Sequence, residues 1–130
     1  MSTKQTGNLG EKIAKDFLKR KGYRILDKNY SFRIPGNPQK GEIDIIAKKE
    51  DGIIFVEVKT LINNRERASA FLPEDKVNFS KQKKLIKTAE SWLMKNKIPL
   101  NSKWQIDVVS VSIEEDFKKA KISHFINAFC

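Results

Sequence analysis

"GEIDIIAKKEDGIIFVEVKT", residues 41–60, decides how this chain is read. Two apolar runs flank Asp51-Gly52, a pair that favours the two-residue turn between antiparallel strands. The second run, "IIFVEVK", is apolar on both faces, as a central strand is. Yet Glu42, Asp44, Glu57 and Lys59 interrupt the hairpin, and charge in a buried strand is costly unless it is paired or used. With Asp51 and Gly52 as the turn, residue 50 opposes 53. That register predicts Asp44 opposite Lys59 and Ile46 opposite Glu57, all on one side of the sheet. Asp44 and Glu57 are then diagonal neighbours, their Cβ atoms about 7 Å apart or less.

Two readings of these charges stand side by side. In one they are solvated strand-end groups forming weak surface ion pairs. In the other, the two carboxylates grip a hard divalent cation, Mg²⁺ or Mn²⁺, which takes oxygen ligands and leaves positions for water and a phosphate oxygen. Such an ion polarises a phosphorus centre and lowers the pKa of bound water. Lys59 beside it would orient the water or stabilise the transition state.

Outward from the hairpin, "GNLGEKIAKDFLKRKG" carries Leu9, Ile13, Phe17 and Leu18 at helical spacing, with Gly22 as a stop. "YRILDKNYSF" predicts a strand and "RIPGNPQKG" a loop. Beyond the hairpin, "LINNRERASAFLPED" has no clean period and reads as a long loop. Ser80 is the expected cap of a second helix, "KQKKLIKTAESWLMKNK", with Leu85, Ala89, Trp92 and Leu93 on its apolar face. "WQIDVVSVSI" is a further strand and "KISHFINAF" a last short one. A strand–helix–strand step after Lys59 places the late strand parallel to "IIFVEVKT". The expectation is one α/β domain over residues 1–130, a mixed central sheet flanked by helices.

The formal charge of +10 and a pI near 9.7 favour polyanionic partners, nucleic acid first and an anionic membrane surface second. Cys130 is the sole cysteine and His124 the sole histidine, which excludes an intrachain disulfide and a zinc site built mainly from those ligands. The N-terminus has no apolar core of signal-peptide type, and no run of about 18 apolar residues occurs. A soluble, cytoplasmic protein with no membrane partner is the expectation.

An acid on one strand followed, after a hairpin, by E-x-K on the next resembles the PD-(D/E)xK nuclease superfamily: "GEID" at 41–44 and "EVK" at 57–59. The proline of that signature is missing. The likeness narrows to the YraN family of bacterial proteins, itself similar to archaeal Holliday-junction resolvases. It is carried by "GNLGEKIAKDFLKRKGYRILDKNY", "GEIDIIA", "FVEVKT", Lys81-Gln82, "DVV" and "HFINAF" in order. The resemblance implies a restriction-endonuclease-like core and a metal-dependent endonuclease acting on DNA, branched or junction DNA included. Asp44, Glu57 and Glu11 would be metal ligands, and Lys59 the catalytic lysine. Glu42 would be a supporting or minor ligand. Glu11 also reads as an ordinary solvated helix acid.

Lys81 and Gln82, near the start of the second helix, are candidate substrate contacts, since helix N-termini favour phosphate. Lys83 and Lys87 read as a solvated face. Leu61 stands where related sequences carry arginine, leaving Arg65 and Arg67 as the alternative backbone contacts. Resolvase relatives act as dimers, which extends the expectation to a homodimer. The rival reading is a non-catalytic nucleic-acid-binding module that kept the fold. RNA is a weaker alternative to DNA as the nucleic acid. Trp92, Trp104 and His124 are expected in structural roles.

Overall fold

The computed structural model describes residues 2–63, 78–116 and 118–128. The first helix, α1, spans Thr3–Arg20 and starts four residues earlier than its apolar period suggests. Ser2 explains the earlier start: its side chain accepts from the Gln5 N–H while the Gln5 side chain accepts from the Ser2 N–H, a reciprocal capping box. Strands β1 (Arg24–Arg33), β2 (Lys40–Lys49) and β3 (Gly52–Asn63) follow, then helix α2 (Phe79–Lys95), β4 (Trp104–Glu114) and β5 (Ala120–Phe125). Asn78, and not Ser80, caps α2, accepting from the Lys81 N–H at 2.9 Å. Ser80 lies inside the helix.

The five strands form one mixed sheet in the order β1-β2-β3-β4-β5. Only β3 and β4 run parallel, from Ile53 beside Trp104 to Asn63 beside Glu114, as the strand–helix–strand step predicts. The helices cover opposite faces. Leu85, Ala89, Trp92 and Leu93 of α2 pack with Ile43, Ile46, Ile53, Phe55, Ile106 and Val108. Ala14 and Leu18 of α1 pack with Ile45, Ile54, Val56, Val109, Val111 and Ile113. Phe55 is fully buried and meets both tryptophans edge-on, each at 5.7 Å between ring centroids. Both tryptophans are therefore structural, their indole N–H groups donating to Asp27 and to the Leu100 carbonyl.

The hairpin turn differs from the sequence expectation. Glu50 and Asp51 form it, with Glu50 at φ 55°, and the register moves by two: Lys49 pairs with Gly52, Ile46 with Phe55, Ile45 with Val56. Packing decides this. The Asp51-Gly52 register would set Ile46 against a carboxylate, whereas the observed one sets it against Phe55 in the same core. Ile53 is also already engaged, donating its N–H to the Lys103 carbonyl at 3.0 Å.

Gly10 fixes how closely α1 lies on β3. A Cβ there would stand 1.9 Å from Thr60 Oγ1 and 2.8 Å from Thr60 Cβ. Rotating Thr60 cannot move its own Cβ, so the helix itself has to lift. Gly10→Ala is expected to cost about 1–3 kcal/mol, read as a lower urea midpoint at unchanged slope.

Candidate active site

Asp44 sits where β2 and β3 part. Their ladder ends at Ile45 and Val56, and the next free donor on β3, the Val58 N–H, bonds Asp44 Oδ2 at 2.7 Å. The residues around Asp44 also break strand alternation. Ile43 packs in the α2-side core and Ile45 in the α1-side core, although residues two apart on a strand normally share a face. On β1 the matching position is Asn29, in the left-handed region at φ 52° and flanked by the pairs Lys28–Ile45 and Tyr30–Ile43. The carboxyl group of Asp44 thereby borders clefts on both faces of the sheet.

Four further charges, from α1, β3 and α2, gather around it. Glu11 leans from α1 and shares a hydrogen bond with Asp44. Glu57 projects from β3 on the α2 side, and its Oε1 pairs with Lys59 Nζ at 3.4 Å and with Lys81 Nζ at 3.2 Å. Glu57 is itself buried, at 8% exposure, and both ammonium groups are held at the same carboxylate oxygen. Burial, reinforced by the Glu57 charge, pushes the Asp44 carboxyl up to about 7. Glu11 is raised for the same reasons, burial first. Lys59 is lowered by burial and by Lys81 beside it.

Glu42 pairs with exposed Lys40 at 3.4 Å and lines the same cleft as Asp44 and Glu57. That cleft, of about 500 Å³, runs toward Gln39, Ser80, Lys81 and Lys84. Lys84 reaches across it to Gln39. The structure therefore brings together Glu11, Asp44, Glu57, Lys59 and Lys81, with Glu42 at the rim. Gln82 follows Lys81 in the first turn of α2, its N–H bonded to the Asn78 carbonyl at 2.9 Å. Arg65 and Arg67 lie outside the described residues. Among the described residues, no three acidic, histidine or cysteine side chains already converge into a metal-sized cage.

The model of the uncharacterised protein family UPF0102 matches residues 10–111, which span every one of these groups. The chain belongs to the UPF0102 family. A UPF0102 protein of Clostridioides difficile is 42% identical over 99% of this chain and all of its own length. Relatives from Alkaliphilus oremlandii and Caldanaerobacter subterraneus are 42% and 36% identical, covering 97% and 99% of this chain and 98% of theirs. The YraN resemblance is thus to this same family.

Elsewhere in this UPF0102 chain, the buried acid Asp107 does structural work that sequence reading did not single out. It accepts from the Asn127 N–H at 2.9 Å and from Gln105 at 2.8 Å, and meets His124 Nε2 at 2.7 Å. These contacts fasten the segment after β5 to β4 and account for His124. The signal was an aspartate in the middle of an apolar strand, the same signal that drew attention to Asp44. Among the described residues, no helix is long and apolar enough to cross a membrane.

Proposed function

We propose that this protein is a metal-dependent endonuclease-like hydrolase with a restriction-endonuclease-like core, acting on phosphodiester bonds in DNA, junction or other branched forms included. One observation carries the reading. Asp44 of β2 and Glu57 of β3 border one cleft with Lys81, Lys59 pairs with the same Glu57 oxygen, and Glu11 of α1 approaches Asp44 from the other face of the sheet. The donor set suits a hard cation: the carboxyl groups of Asp44 and Glu11 are within hydrogen-bond reach of each other, and the charge of Glu57 acts on both. Asp44, Glu57 and Glu11 would hold Mg²⁺ or Mn²⁺, which keeps most of its water and needs few protein ligands. When bound, it supplies Lewis-acid polarisation of the phosphate and an acidified water.

The chain's own residues supply the rest. Lys81 Nζ, the more exposed of the two ammonium groups, faces the cleft and pairs with a non-bridging phosphate oxygen. Lys59 Nζ, held against Glu57, stabilises charge as it builds on phosphorus. The Val58 N–H keeps the Asp44 carboxyl oriented.

The test is cleavage of end-labelled duplex, flap and four-way-junction DNA in Mg²⁺ or Mn²⁺. Lys59→Gln is expected to slow it by about 10²–10³-fold. Metal-dependent cutting that survives both Lys59→Gln and Glu57→Gln would sink the proposal. Sedimentation of the protein with and without junction DNA reads the homodimer that two-strand cleavage calls for. The second reading, a non-catalytic nucleic-acid-binding module, draws on the absence of a preformed three-ligand cage among the described residues. It expects salt-sensitive DNA binding without cutting.

A further inference from the structure

On the face of the sheet opposite Glu57 lies a second cleft of about 260 Å³, whose lysine walls the reaction described above leaves without a role. Its walls are Lys12 and Lys15 from α1 and Lys28 and Asn29 from β1, with Asn8 at the rim and Asp44 and Glu11 at its inner end. Helical spacing explains the first wall, because positions 8, 11, 12 and 15 fall on one side of α1. The second wall depends on the break at Asn29. Without the φ of 52° there, Lys28 and Tyr30 would share a face. Instead Tyr30 reaches toward α2, where its hydroxyl donates to Ser91 Oγ, whose own proton goes to the Thr88 carbonyl. Lys28 faces α1 beside Ile45, near enough to act on Glu11. A non-glycine residue in this conformation costs about 1 kcal/mol or more and tends to persist where function needs it.

Among the described residues, none of Lys12, Lys15 and Lys28 has an acid within ion-pair distance. Three unpaired ammonium groups around a concave, amide-rimmed opening attract a phosphate. The opening shares Asp44 with the cleft on the α2 side, so both clefts meet at one carboxyl group. We infer that the α1-side cleft is a phosphate-binding subsite, in which Lys12, Lys15 and Lys28 hold the backbone of the same nucleic-acid strand whose neighbouring phosphate lies at Glu57 and Lys81. The inference rests on the nucleic-acid reading of the site and extends it to the opposite face of the sheet. A strand that occupies both clefts turns around Asp44 between α1 and α2, which a single strand does far more readily than a duplex.

The experiment is equilibrium binding of a fluorescent oligothymidylate in EDTA across a salt series, so that no cleavage or metal is needed. Lys12→Gln/Lys15→Gln/Lys28→Gln is expected to weaken binding about tenfold or more, and to lower the salt slope by about 2, since each phosphate contact on single strands contributes roughly 0.7. Lys118→Gln/Lys119→Gln/Lys121→Gln removes the same charge from an exposed stretch around the start of β5 and is expected to change the slope by less than half as much. Equal effects from the two triple variants, or no effect from the first, would overturn the subsite. Its fate is separable from that of the nuclease reading. A wild-type protein that never cuts, yet loses oligothymidylate selectively in the first variant, retains the subsite and loses only the catalysis.

Discussion

Asp44→Asn is expected to make the metal-free protein more stable at pH 8 while abolishing cleavage. Burial and the charge of Glu57 raise the Asp44 carboxyl from 3.8 to about 7. The folded state therefore holds a proton there that the unfolded chain releases near pH 4. The contribution of that proton is fully present below about pH 4, fades as pH rises from about 4 to about 7, and is gone above it. A shift of this size corresponds to as much as about 4 kcal/mol. Glu11, whose charge and hydrogen bond also act on Asp44, remains in the variant, so a single substitution recovers less than this, and about 2 kcal/mol is expected at pH 8. For a chain of this length that is a Tm gain of roughly 6–10 °C.

Asparagine suits the position. Its oxygen still accepts from the Val58 N–H, and its amide donates to Glu11. The gain should shrink toward pH 5, where wild-type Asp44 is itself protonated. Mg²⁺ should raise the Tm of the wild type and leave the variant unmoved. Scanning calorimetry of both proteins in EDTA at pH 5 and pH 8, then with Mg²⁺, checks every part. A variant less stable than wild type at pH 8 would show that the fold favours the ionised carboxylate, contrary to the crowding of acids around it.

Phe55→Ala carries the largest expected loss of stability, about 3–5 kcal/mol out of a total of about 5–15 for a domain. The ring is fully buried at the centre of the α2-side core, opposite Ile46 and edge-on to Trp92 and Trp104. Nothing small can fill that space from one side, because both tryptophans are tied by hydrogen bonds at their far ends. Urea unfolding followed by tryptophan fluorescence reads the loss directly. Phe55→Leu is expected to cost less than half as much. Equal costs for the two variants would mean the aromatic contacts, and not the filled volume, hold this core together.

Most of the element order was legible from the chain. The helical period around Ala14 and Leu18, the apolar doublet of strands and the second amphipathic helix each follow from local patterning, and the parallel partner of β3 follows from connection rules. The acids were legible for a different reason: Asp44, Glu57 and Lys59 contradict the strands that carry them. What escaped was anything decided by contact across the fold. Asp51-Gly52 has the better turn chemistry, yet the pairing of Ile46 with Phe55 overrode it and moved the register by two. Lys12, Lys15 and Lys28 look like ordinary surface lysines until α1 is set against β1 and Asn29 turns Lys28 to the α1 side of the sheet. Lys81 was read as a substrate contact from its place near a helix start. Its pairing with Glu57 needed the crossover to be folded.

That crossover also orders events in time. The β1–β2–β3 meander closes through short connections, whereas Ile53 finds Trp104 about 50 residues along the chain. Contacts so distant in sequence are slow to form, because the intervening chain must first be drawn together. Asp44, Glu57 and Lys59 thus assemble on an early-forming meander, while Lys81 joins them only when α2 and β4 dock. A nascent chain still lacking those later elements holds the acids and one lysine of the candidate site without its outer lysine, so the cluster is complete only once α2 and β4 have docked.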